Sequence, residues 1–188
     1  IEVKRGAMGS IVLTQLYSMT QLESVFPAQF LVVDKSRPKT LNLKQMLEAY
    51  IDHREEVVTR RTRFDLKKAE DRDHIVQGLL IAQGNIDEVV RLIKESRDRE
   101  AAGQALMARF GLSQLQVNAI LDMRLHQLTN LAVEDLTNEH NELQKQITYF
   151  KELLASRALL MGVGKQELKD VRAKYGDRRR TVIMPGEK

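Results

Sequence analysis

The 188-residue chain contains no cysteine and no tryptophan, and it has only three prolines. Without cysteine it can form no disulfide, no thiolate metal site and no cysteine nucleophile, which fits the reducing cytoplasm. Aromatic residues make up 5% of the chain and charged residues 30%, a composition typical of long helices. No stretch approaches the roughly 18 consecutive apolar residues of a membrane span. We therefore expect a helical cytoplasmic protein with no membrane partner.

The net charge is small, at +4. A surplus of this size permits contact with an anionic partner such as DNA, but many proteins that bind no nucleic acid carry as much. Charge alone therefore does not indicate a nucleic-acid partner.

Residues 1–41 carry the only signals for β structure. Two apolar, β-branched runs lie at Ile11 to Leu13 and at Phe30 to Val33, and a turn signal follows at Asp34 to Pro38. They predict two or three short strands. Because short strands need partners that this segment hardly supplies, we expect residues 1–41 to be a β-containing remnant of a larger sheet.

A long helix is predicted over residues 42–84. Asn42, with Gln45 three residues later, is the signature of a helix start, and the pattern predicts a helix from Leu43 to Gln83, about 60 Å long at about 1.5 Å per residue. Its apolar residues form a narrow seam, with Arg54 and Arg61 at intervening positions: Leu43, Leu47, Tyr50, Val57 and Phe64. So narrow a stripe indicates a single partner helix.

Residues 131–188 supply that partner. Six residues repeat at alternating spacings of four and three, as in the seam of a helix pair: Leu136, His140, Leu143, Ile147, Phe150 and Leu154. We expect the returning helix to end near residue 160, with Gly162 and Gly164 as a break before a short C-terminal helix.

Between the two long helices, residues 85–130 are predicted to form a small helical knob. Asn85 with Glu88 and Ser113 with Gln116 mark helix starts, and Gly111 marks a helix end. The predicted fold is therefore mainly α: a long antiparallel two-helix coiled-coil stalk with the knob at its tip, plus the β-containing N-terminal segment.

The end of the knob is unusually apolar. Four of its residues are candidates for a two-fold contact with a second copy of the chain, because one short helix cannot bury them all: Leu121, Met123, Leu125 and Leu128. The alternative, that they pack inside the same knob, stays open on periodicity alone.

Several motifs in their order along the chain resemble the A subunit of bacterial type IIA DNA topoisomerases, that is DNA gyrase or topoisomerase IV. They cover nearly the whole chain: LYSMTQL, RPKTLNL, TLNLKQMLEAYIDHREEVVTRRTRFDLKKAEDR, IAQGNIDEVVRLIK, ILDMRLHQLTNL and VRAKYGDRRRT.

The resemblance implies a role for the stalk and the knob. In that family they form the C-terminal gate, where two A subunits meet and the transported DNA duplex leaves during an ATP-dependent change of DNA topology. It implies a homodimer in the bacterial nucleoid, a partner B subunit that holds the ATP and the magnesium, and double-stranded DNA as substrate. Arg60, Arg61 and Arg63 are then candidates for non-specific contact with the phosphate backbone, against the alternative that they are solvated or bridge the stalk.

The resemblance also implies that this chain has no catalytic residue. The family's nucleophilic tyrosine directly follows an arginine, and none of the four tyrosines does so: Tyr17, Tyr50, Tyr149 and Tyr175. The four histidines lie at no recurring ligand spacing, so no metal site is predicted. The parent protein would be an ATP-hydrolysing isomerase, and this part alone should be inactive. An autonomous coiled-coil scaffold and an independent nucleic-acid binder remain the alternatives.

Overall fold

The structure is a computed structural model that describes residues 2–123 and 133–183. The chain divides into two compact units, residues 1–51 and residues 52–188.

The first unit contains a helix and a hairpin. Helix α1 (Gly9–Met19) is followed by strands β1 (Phe30–Asp34) and β2 (Arg37–Leu41), which pair antiparallel with Phe30 opposite Leu41. Both central residues of the turn, Lys35 and Ser36, have positive φ, as a type I′ hairpin turn requires. Lys39 Nζ donates to Asp34 Oδ2 at 2.7 Å, and this hydrogen bond lowers the pKa of Asp34.

The strand predicted at Ile11 to Leu13 is wrong, because these residues lie in α1. Val12 and Leu16 are partly buried, four residues apart, and this helical spacing outweighs the weak strand preference of two β-branched residues. None of residues 2–51 is buried. The described part of the first unit therefore has no apolar core of its own.

Helix α2 (Leu43–Gly84) confirms the predicted long helix. At its start, Asn42 N donates to Gln45 Oε1 at 3.0 Å and Gln45 N donates to Asn42 Oδ1 at 2.9 Å. This reciprocal pair satisfies two backbone donors that the first turn would otherwise leave free.

The seam of α2 differs from the predicted one. Phe64 is 68% exposed, whereas the buried residues of this part of the helix are Val58, Thr62, Ala69 and Asp73. The prediction followed the largest apolar side chains, but the buried face is set by the partner helix and is lined by small and polar residues.

Five helices follow in the described parts of the chain: α3 (Ile86–Glu95), α4 (Arg99–Phe110), α5 (Gln114–Asp122), α6 (Val133–Ala155) and α7 (Arg157–Tyr175). Helix α6 runs antiparallel to α2, because its contacts follow the sequence of α2 in reverse order. Glu139 pairs with Arg72 at 2.6 Å, Lys151 with Glu70 at 2.9 Å, and Arg157, just after α6, with Glu55 at 2.8 Å.

The break predicted at Gly162 and Gly164 is wrong, since α7 passes through both glycines. The chain bends earlier, at Ser156, whose Oγ accepts from Leu159 N at 3.4 Å and caps α7. A glycine costs a helix interior only about 1 kcal/mol relative to alanine. Leu160 of α7 packs with Val58 of α2 and Leu153 of α6, and this contact holds the continuous helix in place.

The main apolar core lies where the end of α2 meets the knob. Its buried residues come from α2, α3, α4, α5, the α4–α5 connection and α6: Val76, Leu79, Ala82, Val89, Leu106, Leu112, Val117, Ile120 and Leu136. Helix α4 ends at Gly111, in the left-handed conformation with φ 66°, as predicted above. Asn85 precedes α3 but its side chain does not cap it, because Asn85 Nδ2 donates to the Ile81 carbonyl at 2.9 Å instead.

Gln116 connects α5 to α2 through a hydrogen bond. Its Oε1 accepts from Ser113 N at 2.9 Å, completing the predicted capping box, and its Nε2 donates to the His74 carbonyl at 2.7 Å. This arrangement needs a glycine on α2, because a Cβ at Gly78 would lie 2.7 Å from both Cβ and Cγ of Gln116.

Replacing Gly78 with alanine should therefore destabilise the protein. The added methyl group must displace a side chain held by two hydrogen bonds, and overpacking of this kind costs about 1–3 kcal/mol. Chemical denaturation of the two proteins measures the difference in the free energy of unfolding.

Gly162→Ala is the matched control, since a Cβ there meets nothing within 4 Å. It should stabilise the protein by about 0.5–1 kcal/mol through helix propensity alone. Equal stabilisation by both substitutions would contradict the close approach of α5 to Gly78.

Candidate functional site

The predicted contact residues lie at the end of α5 and just beyond it. Leu121 and Met123 are partly buried and pack against the knob core, so part of each side chain serves its own knob. Leu125 and Leu128 lie outside the described residues. The two-fold contact through these four residues therefore stays a prediction.

Leu121 also borders a shallow groove between α4 and α5, of about 340 Å³. Only two of the residues that line it have large apolar side chains, Met107 and Leu121, and the rest of the wall is formed by Gly103 and by polar or charged residues such as Arg99 and Gln114. A groove with so mixed a lining offers both polar and apolar contacts.

Ion pairs surround the knob. Arg109 donates to both carboxylate oxygens of Glu88, at 2.8 Å and 3.3 Å, and this hydrogen bonding lowers the pKa of Glu88 and raises that of Arg109. Arg99 pairs with Asp122 across α4 and α5. These exposed pairs connect neighbouring helices, but each contributes little to stability because water screens it.

The three arginines predicted to contact DNA fall into two groups. Arg61 Nη2 lies 2.5 Å from Glu167 Oε1 of α7, and Arg54 Nη2 lies 2.6 Å from Glu167 Oε2. Arg60 and Arg63 are exposed, and neither forms a salt bridge with any residue that the structure describes. Glu167 thus bonds to Arg61 and Arg54, and its single negative charge offsets one of their two positive charges, whereas it pairs with neither Arg60 nor Arg63.

Sequence reasoning missed Glu167, because it lies 106 residues from Arg61. The polar cluster around Asp73 was also missed. Asp73 is a charged residue on the buried face of α2, and His140 and Gln144 are four residues apart on the facing side of α6. The sequence did contain a signal for this cluster, because His140 was already in the predicted seam of α6 and Asp73 lies on the helix predicted to face it.

The four tyrosines are all exposed, and Tyr149 packs beside Phe150 with ring centroids 5.8 Å apart. Across residues 2–123 and 133–183, no group of three or more histidine, aspartate or glutamate side chains is arranged to hold a metal ion. No helix in these same ranges combines the length and the apolar character needed to cross a membrane.

Comparison with known proteins gives matches over almost the whole chain. A family model for the A subunit of DNA gyrase and topoisomerase IV matches residues 1–169. The DNA gyrase A subunit of Clostridium acetobutylicum is 45% identical over 187 residues, which is 100% of this chain and 22% of that protein. The corresponding protein of Fibrobacter succinogenes is 47% identical over 97% of this chain and 20% of its own length.

The DNA gyrase A subunit of Streptococcus pneumoniae is similar over the same span, with 44% identity over 100% of this chain and 23% of that protein. The chain thus spans about a fifth of the length of these relatives. Because the family match extends over most of the chain and runs through α1 to α6, the chain belongs to the family of the DNA gyrase and topoisomerase IV A subunits.

Proposed function

We propose that this chain forms the C-terminal exit gate of a type IIA topoisomerase, through which a transported DNA duplex leaves. The observation that carries the proposal is the pair of long antiparallel helices, α2 and α6, that ends in a knob and shares one apolar core with it. In this proposal two copies of the chain meet through their knobs. The opening between the helix pairs of the two copies is the passage for DNA.

The distribution of buried residues supports this role. Between Val58 and Asp73 the buried positions of α2 follow one narrow strip, and most of the other residues there are charged or polar, so this part of the helix can border water on the side away from α6. A gate leg must border a solvent-filled opening and so must be stable without a core on its outer faces. The helix pair meets this requirement, because it packs along one face only.

The proposal includes the partners of the whole protein. A B subunit would supply ATP and magnesium, DNA cleavage would use residues that this chain does not contain, and the assembly would act in the bacterial cytoplasm at the nucleoid. Alone, the chain should neither cleave DNA nor hydrolyse ATP.

The test of the gate is the double substitution Leu125→Glu and Leu128→Glu. If both side chains lie at the two-fold contact, four carboxylates would be forced into one apolar surface and the dimer should separate. Sedimentation velocity measures the dissociation, and circular dichroism checks that the helix content is retained. Equal loss of helix content and of dimer would place the two leucines inside the knob.

Leu159→Glu is the matched control, since Leu159 is an exposed leucine on α7, outside the knob. It should leave the dimer unchanged. A cysteine at position 125 provides an independent readout, because the chain has none of its own: oxidation should link two copies at that position and not at a cysteine placed at 159. If the double glutamate variant still forms the dimer and a cysteine at position 125 does not cross-link two copies, the dimer contact lies away from the knob. That result would favour an autonomous coiled-coil scaffold.

We further propose that Arg60 and Arg63 attract the phosphate backbone of the passing duplex. Each contact with a phosphate contributes about −0.9 to the slope of log affinity against log salt concentration. Arg60→Gln with Arg63→Gln should therefore reduce that slope by about 2 in binding of the chain to a short duplex of random sequence, and fluorescence anisotropy at several salt concentrations measures it.

Arg61→Gln is the control, because the guanidinium of Arg61 is already bonded to Glu167. Its effect on the slope should be smaller than that of either neighbour. An unchanged slope in the double variant would mean that Arg60 and Arg63 serve only as a solvated face of α2.

A further inference from the structure

A buried carboxylate lies in the seam between α2 and α6. Asp73 is 3% exposed and accepts three hydrogen bonds: from His140 Nδ1 to Oδ1, and from Gln77 Nε2 and Gln144 Nε2 to Oδ2, each at 2.7 Å. A carboxylate that accepts from all three groups pairs with the His140 tautomer that carries its hydrogen on Nδ1. The side chain of Asp73 is thus fully engaged although it is out of water.

Two of the three donors come from the opposite helix. His140 and Gln144 are four residues apart and therefore lie on one face of α6, whereas Gln77 lies one turn further along α2 itself. Asp73 is flanked on α2 by buried Ala69 and Val76. Among the described residues of α6, only His140 and Gln144 bond to Asp73, and they lie on adjacent turns of that helix.

We propose that Asp73, His140 and Gln144 form a register lock, which holds α2 and α6 at one alignment along their length. The lock is a property of the helix pair and stands independently of the gate. Buried polar residues in helix pairs are best attested as devices that select one register at some expense of stability.

A slip of α6 by one turn shows why the lock would be selective. A slip in one direction brings Leu136 to the place of His140 beside the Asp73 carboxylate, and the side chain of Leu136 has no hydrogen-bond donor. In the other direction Thr148 arrives at the place of Gln144, and its hydroxyl is already bonded to the Gln144 carbonyl at 2.8 Å. Either slip leaves a buried charge short of a hydrogen bond, which is strongly unfavourable.

The neighbouring ion pairs cannot provide the same selection. Arg72 and Glu139 pair at 2.6 Å and Glu70 and Lys151 at 2.9 Å, but in both pairs the side chains are largely exposed. Exposed pairs contribute little because solvent screens them and long side chains can follow a shifted partner. The buried carboxylate therefore dominates the choice of register.

The experiment measures the distance between spin labels at Glu56→Cys on α2 and Asn141→Cys on α6, by pulsed electron spin resonance on the 188-residue chain. Both positions are exposed, and the absence of native cysteine makes the labels unique. A slip by one turn moves the labels by about 5 Å along the helix axis. With Asp73, His140 and Gln144 intact, we expect one narrow distance.

The lock is removed by the triple variant Asp73→Leu, His140→Leu and Gln144→Met, which replaces each polar side chain by an apolar one of similar shape. Replacing a buried ionic group such as Asp73 by an apolar one is often neutral or stabilising when its partners are replaced too, so Tm should not fall. The label distance should nevertheless broaden or split by about 5 Å per turn of slip. One narrow, unchanged distance in a folded triple variant would overturn the proposal.

Two further variants complete the test. Arg72→Gln with Glu139→Gln removes an interhelical ion pair at the same level and should leave the distance narrow. Asp73→Ala removes the carboxylate without adding bulk, and its distance should broaden even if the triple variant does not fold. Broadening in the ion-pair variant equal to that in Asp73→Ala would show that any interhelical contact sets the register, and would also overturn the proposal.

Discussion

The narrow seam between α2 and α6 is the constraint on which the rest of this structure depends. Two long helices that touch along one strip bury few side chains, and hydrophobic stabilisation grows with the area removed from water. The pair therefore needs support at its ends. One end joins the knob core around Leu106 and Ile120, and further along the seam Leu160 of α7 closes a smaller cluster with Val58 and Leu153.

A thin seam has a second consequence, because helix pairs with few buried side chains are poorly defined in register. The residues near the middle of the seam include Thr62, Ala69 and Asp73, which lack the bulk that would make one alignment better than the next. The Asp73 carboxylate, which requires three hydrogen-bond donors, selects one register of the two helices, and the small side chains cannot do so. Stability at the ends of the pair and alignment in the middle thus come from different kinds of interaction.

Local signals in the sequence predicted the elements better than they predicted the contacts. The capping boxes at Asn42 and Ser113 and the helix end at Gly111 were confirmed, because caps depend on residues three or four apart. The break at Gly162 was wrong, and so was the exposed seam residue Phe64, since the buried face of a helix is decided by a partner far along the chain. For the same reason the pairing of Arg61 with Glu167 could not be predicted from local sequence patterns. The contact through Leu125 and Leu128 stays a prediction.

The measurement that tests the gate most directly is the molar mass of the unmodified chain by light scattering over a dilution series. We expect a particle of about twice the 21.6 kDa of one chain that persists on dilution, because an apolar two-fold contact at the knob buries surface that a single copy leaves exposed. A particle that stays at the mass of one chain at every concentration would contradict a dimer contact within these residues.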